Sequence, residues 1–161
     1  MKELFTEIVE EFKSSWKSYI FRSFLATLTT FLVLLALSVK HAVIVASIGS
    51  TAFIIFVTPE KKIARARNVI GGHLIGLITG SLCALIPHPL FLHSIVIYSL
   101  AVGFSILIMV ITDTKHPPAS GTALGVAISG FSLDVTITVI ASTTILSLVH
   151  YFLRPFLKDL R

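Results

Sequence analysis

The residues best suited to chemistry surround two adjacent prolines, in the run His116-Pro117-Pro118-Ala119. Two prolines end a helix that arrives from the N-terminal side, yet they fit the first turn of a helix that begins there. Such a start offers unpaired backbone N–H groups and a positive dipole end, which together favour a small anion. The run therefore predicts an anion site, with Ser120, Gly121 and Thr122 beside it.

A second run of small residues, from Ala46 to Ala52, repeats this pattern. Lys40-His41 precedes it, as Lys115-His116 precedes the proline run. We expect a second helix N-terminus around Ser47–Thr51, where backbone and hydroxyl donors would contact the same anion. The candidate contacts here are Ser47, Gly49, Ser50 and Thr51. The alternative is that these small residues only allow membrane helices to pack closely.

Two further polar positions are candidates for substrate or proton binding. Asn68 stands at the start of a hydrophobic segment, and His73 follows one turn inside it, where polar side chains usually face the protein interior or water. A packing role for His73 is the alternative. Asp113 and His116 are candidates for proton coupling, although Asp113 could equally cap a helix or pair with Lys115.

Neither a metal site nor an enzyme is predicted. The six histidines include no i, i+4 pair and no cysteine partner, and Asp113 is the only carboxylate near one in the sequence. A metal requires three or four convergent ligands. No Gly-x-Ser-x-Gly nucleophile motif occurs. We therefore expect no catalytic residue, no metal and no cofactor.

Composition indicates the elements that must position these residues. The chain of 161 residues is 55% hydrophobic and 13% charged, whereas soluble domains are about 25% charged. Charge-free blocks cover Ser23–Val39, His41–Pro59, Val69–Ile111, His116–Leu133 and Val135–Leu153. Pro87-His88-Pro89 divides the third block, which leaves about six segments of membrane-spanning character. The predicted fold class is all-α, a polytopic membrane protein.

The charged loops predict the topology. Positive residues cluster before the first segment, at Lys61–Arg67, at Lys115 and after the last segment. Six crossings with both termini in the cytoplasm place all four clusters inside, which satisfies the positive-inside rule. Four crossings, with segments two and five broken or re-entrant, are the alternative. The net charge of +5 lies beside these segments, so membrane lipid rather than nucleic acid is the expected partner.

The pattern also suggests a domain organisation. Residues 1–22 have helical amphipathic spacing and are interpreted as an interfacial helix. Residues 23–161 form the transmembrane domain. Within it, 23–86 and 91–153 each contain three segments with a Lys-His pair, so the second unit would enter from the opposite side as an inverted repeat. Shielding short helices from lipid further predicts a homo-oligomer.

Three runs in this chain resemble the HPP family of integral membrane proteins. They are Thr114 to Leu124, Ala46 to Ala52, and Arg67 to His73. The resemblance implies a bacterial inner-membrane protein, and its link to nitrite transport in plastid and cyanobacterial members implies a transporter or channel for a small inorganic anion, with nitrite the first candidate. A membrane scaffold without transport activity and an intramembrane metal or redox protein are the alternatives.

Overall fold

The structure is a computed structural model that describes residues 2–36, 42–87 and 90–160. Within these ranges it contains six α-helices and no strand, which agrees with the predicted all-α class. The helices are α1 Lys2–Ala36, α2 Ala42–Val57, α3 Ala66–Ala84, α4 Phe91–Ile111, α5 Pro118–Ser129 and α6 Leu133–Leu153. Two short 3₁₀ turns cover Lys62–Ala64 and Arg154–Phe156. The Lys40-His41 pair used for the repeat lies outside the described residues.

The N-terminal amphipathic stretch and the first hydrophobic segment form a single helix. α1 runs for 35 residues without interruption, a length of about 52 Å at 1.5 Å per residue. No helix-breaking proline or glycine occurs in it. A boundary near residue 22 is therefore a change in side-chain character within one helix.

Helices α2 and α5 are short, and each is uninterrupted. α5 begins at Pro118, with Pro117 at the N-cap, and ends at Gly130, whose φ of 80° suits glycine. Its 12 residues span about 18 Å, less than the roughly 30 Å of a bilayer core. α2 has 16 residues. A break inside either helix is not observed, because the proline pair begins α5 and does not interrupt it.

The distribution of polarity is inverted relative to a soluble protein. Large apolar side chains are exposed on the outside of the bundle, among them Phe24, Phe53, Leu82, Phe91, Leu133 and Phe152. Polar side chains are buried instead, including Thr51, His73, Ser105, His116 and Ser142. Two helical stretches of the described chain, Phe91–Ile111 and Leu133–Phe156, are long and apolar enough to cross a bilayer. Lipid is the solvent that such an exterior fits.

Helices α3 and α5 make the closest approach in the bundle. Gly72, Gly76 and Gly80 recur every fourth residue of α3, so they share one face, and that face meets α5. A Cβ on Gly76 would overlap the carbonyl oxygen of Ala119, and one on Gly72 would lie 2.8 Å from the Cβ of His116. The glycine face is therefore a packing surface within the subunit.

This packing predicts that Gly76→Ala destabilises the protein, because the added methyl group must push α5 away. We expect a loss of about 1–3 kcal/mol, the usual cost of overpacking, measured as a lower thermal midpoint in detergent. Gly103→Ala is the matched control, since a Cβ there meets nothing within 4 Å. Equal midpoints for the two variants would contradict the close approach.

Candidate functional site

A buried cluster of two imidazoles and three hydroxyls joins α2, α3 and α5. We call it the histidine–hydroxyl cluster, and its members are Ser47, Thr51, His73, His116 and Thr122. Each of these residues is at most 4% exposed. Ser47 and Thr51 lie one turn apart on α2, His73 lies on α3, and His116 stands just before α5. Buried polar groups of this kind are normally hydrogen-bonded to one another.

The two imidazoles converge on a single hydroxyl. Thr51 Oγ1 lies 2.9 Å from His73 Nε2 and 3.0 Å from His116 Nε2. The ring centroids are 5.1 Å apart and tilted by 52°. The same Thr51 hydroxyl also lies 3.0 Å from the backbone oxygen of Ser47.

The tautomer of His116 follows from its other nitrogen. Nδ1 lies 2.8 Å from the carbonyl oxygen of Ile63, and because a carbonyl only accepts, Nδ1 must donate. A neutral His116 then has no hydrogen on Nε2, so it must accept one from Thr51. Thr51 has one hydrogen but faces two acceptors, His116 Nε2 and the Ser47 oxygen.

On the other side of His73 the chain of hydrogen-bonding groups continues. His73 Nδ1 lies 2.8 Å from Thr122 Oγ1, which lies 2.9 Å from Ser47 Oγ. The Ser47 hydroxyl is also in hydrogen-bonding contact with the carbonyl oxygen of Pro118. The cluster thus runs unbroken from Pro118 O to Ile63 O, and both ends are acceptors.

The turn after α4 presents the proline run to this cluster. Asp113 has a φ of 54°. The N–H groups of Asp113 and Thr114 donate to the carbonyl oxygens of Val110 and Met109, so α4 ends in a Schellman motif. A 2.5 Å ion pair with Lys62 holds the turn. The side-chain hydrogen bond from Lys62, and then its charge, lower the pKa of Asp113, so this carboxyl stays ionised at neutral pH.

Asn68 supports the same turn from α3. Its side-chain amide donates to the carbonyl oxygen of Lys115 at 3.0 Å, one residue before His116. Although the side chain is buried, its observed partner is backbone. The observed geometry of Asn68 is therefore that of a residue that positions the proline run, and substrate contact stays a prediction.

The expected free N–H groups at the start of α5 are not available. Pro117 and Pro118 carry no backbone hydrogen, and the next two N–H groups, of Ala119 and Ser120, donate to His116 O and Pro117 O at 2.9 and 3.2 Å. Anion binding at the residues after the prolines stays a prediction, but Ala119 and Ser120 do not offer free backbone N–H groups for it. The physical reason is that the first turn closes on the carbonyls of the residues that precede it.

The second expected helix start is also misplaced. α2 begins at Ala42, so Ser47–Thr51 lie in its interior, where backbone N–H groups serve the helix. The Ser50 hydroxyl bonds the oxygen of Ala46 at 3.0 Å.

The remaining predicted residues line an open groove between α2 and α5. We call it the α2–α5 groove; its volume is about 770 Å³. The predicted residues in its lining are Ser47, Gly49, Ser50, Pro117, Pro118, Ser120 and Gly121. Ser47 alone belongs to both the groove and the histidine–hydroxyl cluster. The Ile63 carbonyl was not predicted, because no side chain signals that a backbone oxygen will meet a histidine.

The described residues contain no group of three histidine, cysteine or carboxylate side chains placed to hold a metal. His73 and His116 converge, but their shared partner is a hydroxyl. The arrangement is suited to holding and passing a proton.

An apolar exterior and a buried polar cluster define a helical membrane protein. Residues 13–158 match the family described as HPP, transmembrane region, and the chain belongs to that family, as its motifs predicted. It is 35% identical over 89 residues to one transmembrane protein of Dictyostelium discoideum and 30% identical over 118 residues to another. These matches cover 55% and 72% of this chain.

The chain spans about a third of those relatives, since the matched stretches cover 31% and 37% of their lengths. No solved structure matches this chain.

The geometry predicts that Thr51→Val destabilises the protein although the side-chain shape is kept. The change removes the hydroxyl that both Nε2 atoms face, and a buried polar atom without a partner costs about 1–3 kcal/mol. Thermal unfolding in detergent measures the effect. Ser50→Ala, on the exposed side of α2, is the control and should change stability by less than about 0.5 kcal/mol. A Thr51→Val midpoint equal to that of wild type would contradict the cluster.

Proposed function

We propose that this protein is a membrane transporter that moves a small inorganic anion together with a proton, with nitrite as the first candidate. The observation that carries the proposal is that the single hydroxyl hydrogen of Thr51 faces two acceptors. Two acceptors, His116 Nε2 and Ser47 O, lie at hydrogen-bond distance from one hydroxyl that has one hydrogen to give. The neutral cluster is therefore one hydrogen short at this point.

A proton on His116 Nε2 removes the shortage at Thr51. His116 then donates to both Ile63 O and Thr51, and Thr51 is free to donate to Ser47 O. The second lone pair of Thr51 accepts from His73 Nε2. All the short distances around Thr51 then become hydrogen bonds, so the hydrogen-bond geometry accommodates an added proton at this position.

The added charge needs a counter-ion. An imidazolium removed from water is costly unless it is paired, and no carboxylate occurs in α2, α3 or α5. The nearest described carboxyl along the chain, Asp113, is paired with Lys62. An anion in the α2–α5 groove, next to Ser47, would supply the missing charge. Each ligand then raises the affinity for the other by the same factor, which is reciprocal linkage.

The lining of the groove favours a small monoanion. Its polar groups are the hydroxyls of Ser47, Ser50 and Ser120, and among the described residues no cationic side chain lines it. A doubly charged anion would lack compensation there, whereas a monoanion would need only one nearby imidazolium and serine hydroxyls that turn from their backbone acceptors, Pro118 O, Ala46 O and Pro117 O. The resemblance of the motif runs to HPP proteins favours nitrite within this class.

We also propose six crossings in two inverted halves, with both termini on the cytoplasmic side of a bacterial inner membrane. The main helix pairs are α3–α5, α3–α4, α2–α5, α4–α5, α3–α6, α1–α2, α2–α6 and α1–α6. This set is unchanged when α1, α2 and α3 are exchanged with α4, α5 and α6. Such closure is expected of two repeats related by a two-fold axis.

A second copy of the chain is the proposed cover of the α2–α5 groove. Ser50 and Pro117 are exposed there, and polar groups facing lipid are unfavourable. The glycine face of α3 is already occupied by α5, so it is not the proposed contact. A homo-oligomer would enclose the groove as a pathway.

Transport predicts a measurable role for His116. Proteoliposomes with wild-type protein should take up nitrite faster when the outside is more acidic, and each nitrite should carry a proton inward. His116→Gln should reduce this gradient-driven uptake at least about tenfold, because the cluster loses its extra proton site. Uptake is followed by nitrite assay and an internal pH dye.

His93→Gln is the matched control, since His93 is exposed in the first turn of α4 and is not a member of the histidine–hydroxyl cluster. Its uptake should equal that of wild type. Nitrite uptake that ignores the pH gradient would contradict the coupling. A membrane scaffold would show no uptake of any small anion in wild-type protein.

Accessibility labelling tests the proposed topology. In a Cys83→Ala background, a cysteine at Asp134 should react with an impermeant reagent added from the periplasmic side, and one at Lys61 should not. Both positions adjoin helix ends, so labelling does not require disruption of the bundle. Reaction at Lys61 from outside would overturn the six-crossing arrangement.

A further inference from the structure

A second cavity lies where the beginning of α3 meets the end of α6. Its volume is about 580 Å³, and Arg65, Ala66, Ser147 and Arg154 are in its lining. His150 holds this corner in place, because its Nε2 donates to the carbonyl oxygen of Pro59 at 2.8 Å. We infer that this cavity binds a phosphate group, and that the headgroup of an anionic lipid supplies it.

The first observation is a buried hydroxyl without a partner. Ser147 is 4% exposed, and its Oγ has no hydrogen-bond partner within the described residues. Two other hydroxyls of α6, Ser142 and Thr143, bond carbonyl oxygens one turn earlier, at 2.6 and 2.8 Å. Ser147 makes no such bond to a carbonyl oxygen of its own helix, and it lines the cavity. A buried hydroxyl of this kind indicates a ligand acceptor.

The second observation is the charge of the cavity. Arg65 and Arg154 are exposed, and neither guanidinium has an ion pair within the part of the chain that the structure describes. No carboxylate of the described side chains lines the cavity. Two guanidiniums offer several N–H donors in the planar arrangement that phosphate oxygens accept.

The start of α3 adds donors of the same kind. Arg65 is the N-cap residue and provides no side-chain cap, as an arginine has no acceptor atom. The N–H groups of Asn68 and Val69 donate to Arg65 O, so those of Ala66 and Arg67 have no partner within the helix. The positive end of a 19-residue helix therefore faces the cavity.

The position of the cavity favours a lipid as the source of phosphate. It lies at the ends of two apolar helices, the level at which headgroups are found. Tyr151 and Phe152 in its rim are 73% and 66% exposed, and aromatic side chains prefer this interface. Basic pockets between spans at this level suit anionic headgroups. The cavity is formed by α3 and α6, so the inference does not depend on the α2–α5 groove.

Native mass spectrometry of the full chain in uncharged detergent tests the inference. Phosphatidylglycerol should give one saturable bound lipid, and phosphatidylcholine should bind more weakly. Arg65→Gln and Arg154→Gln should each weaken phosphatidylglycerol binding roughly five- to tenfold, given about 1 kcal/mol per interfacial arginine. Lys61→Gln is the matched control, because it removes a nearby exposed charge that does not line the cavity.

Ser147→Ala separates binding from structure. It should weaken phosphatidylglycerol binding without lowering the thermal midpoint of the lipid-free protein, since the hydroxyl has no protein partner to lose. A lower lipid-free midpoint with unchanged lipid affinity would count against the site.

Inorganic phosphate is the second probe and distinguishes the two sources. Stabilisation by millimolar phosphate, lost in Arg154→Gln, together with no saturable phosphatidylglycerol would support the phosphate site and assign it to a soluble ligand. Absence of saturable binding for both probes would overturn the inference. Equal weakening by Lys61→Gln and Arg154→Gln would overturn it as well, because the binding would then reflect surface charge in general.

Discussion

The structure depends on the close approach of α3 and α5. α5 is shorter than the hydrocarbon core of a bilayer is thick, so its position depends on packing against its neighbours. Its buried residues, such as Ala119 and Ala123, pack on the glycine face of α3. Because no Cβ separates the two backbones, His73 reaches Thr122 and His116 reaches Ile63 O. Small residues drive such contacts in lipid, where the hydrophobic effect between helices is absent.

The histidine–hydroxyl cluster in this packed interior has fewer hydrogens to donate than it has acceptors at hydrogen-bond distance. Each neutral hydroxyl or imidazole has one hydrogen to donate, and the cluster is bounded by carbonyl oxygens that only accept. In water such a mismatch is relieved by solvent, whereas in a buried site a polar atom without a partner is costly. An open groove lies beside this shortage, and Ser47 belongs to both the groove and the cluster.

The histidine–hydroxyl cluster and the cavity between α3 and α6 differ in the interactions that govern them. The histidine–hydroxyl cluster is buried and contains no carboxylate, lysine or arginine, so its properties are set by hydrogen-bond direction. The cavity at Arg65 and Arg154 is charged and sits at helix ends, where headgroups and water screen it. The permanent charges of this cavity, Arg65 and Arg154, are exposed, whereas the histidine–hydroxyl cluster contains no lysine or arginine.

The sequence by itself determined the class of protein, the family, the helical character and most of the polar residues of the site. Charge-free segments require lipid, and prolines at 117 and 118 require a helix to begin there; both are local constraints. Local sequence did not determine which backbone N–H groups remain without a hydrogen-bond partner. Ala119 and Ser120 satisfy their hydrogens within one turn, and α2 begins five residues before Ser47.

Only the tertiary structure decided that Thr51, His73 and His116 share one hydroxyl and that the Ile63 carbonyl completes the site. These groups are separated by up to 65 positions in the chain, so their meeting depends on helix packing. A hydrogen-bond shortage is a property of relative positions, and residue types alone do not contain it.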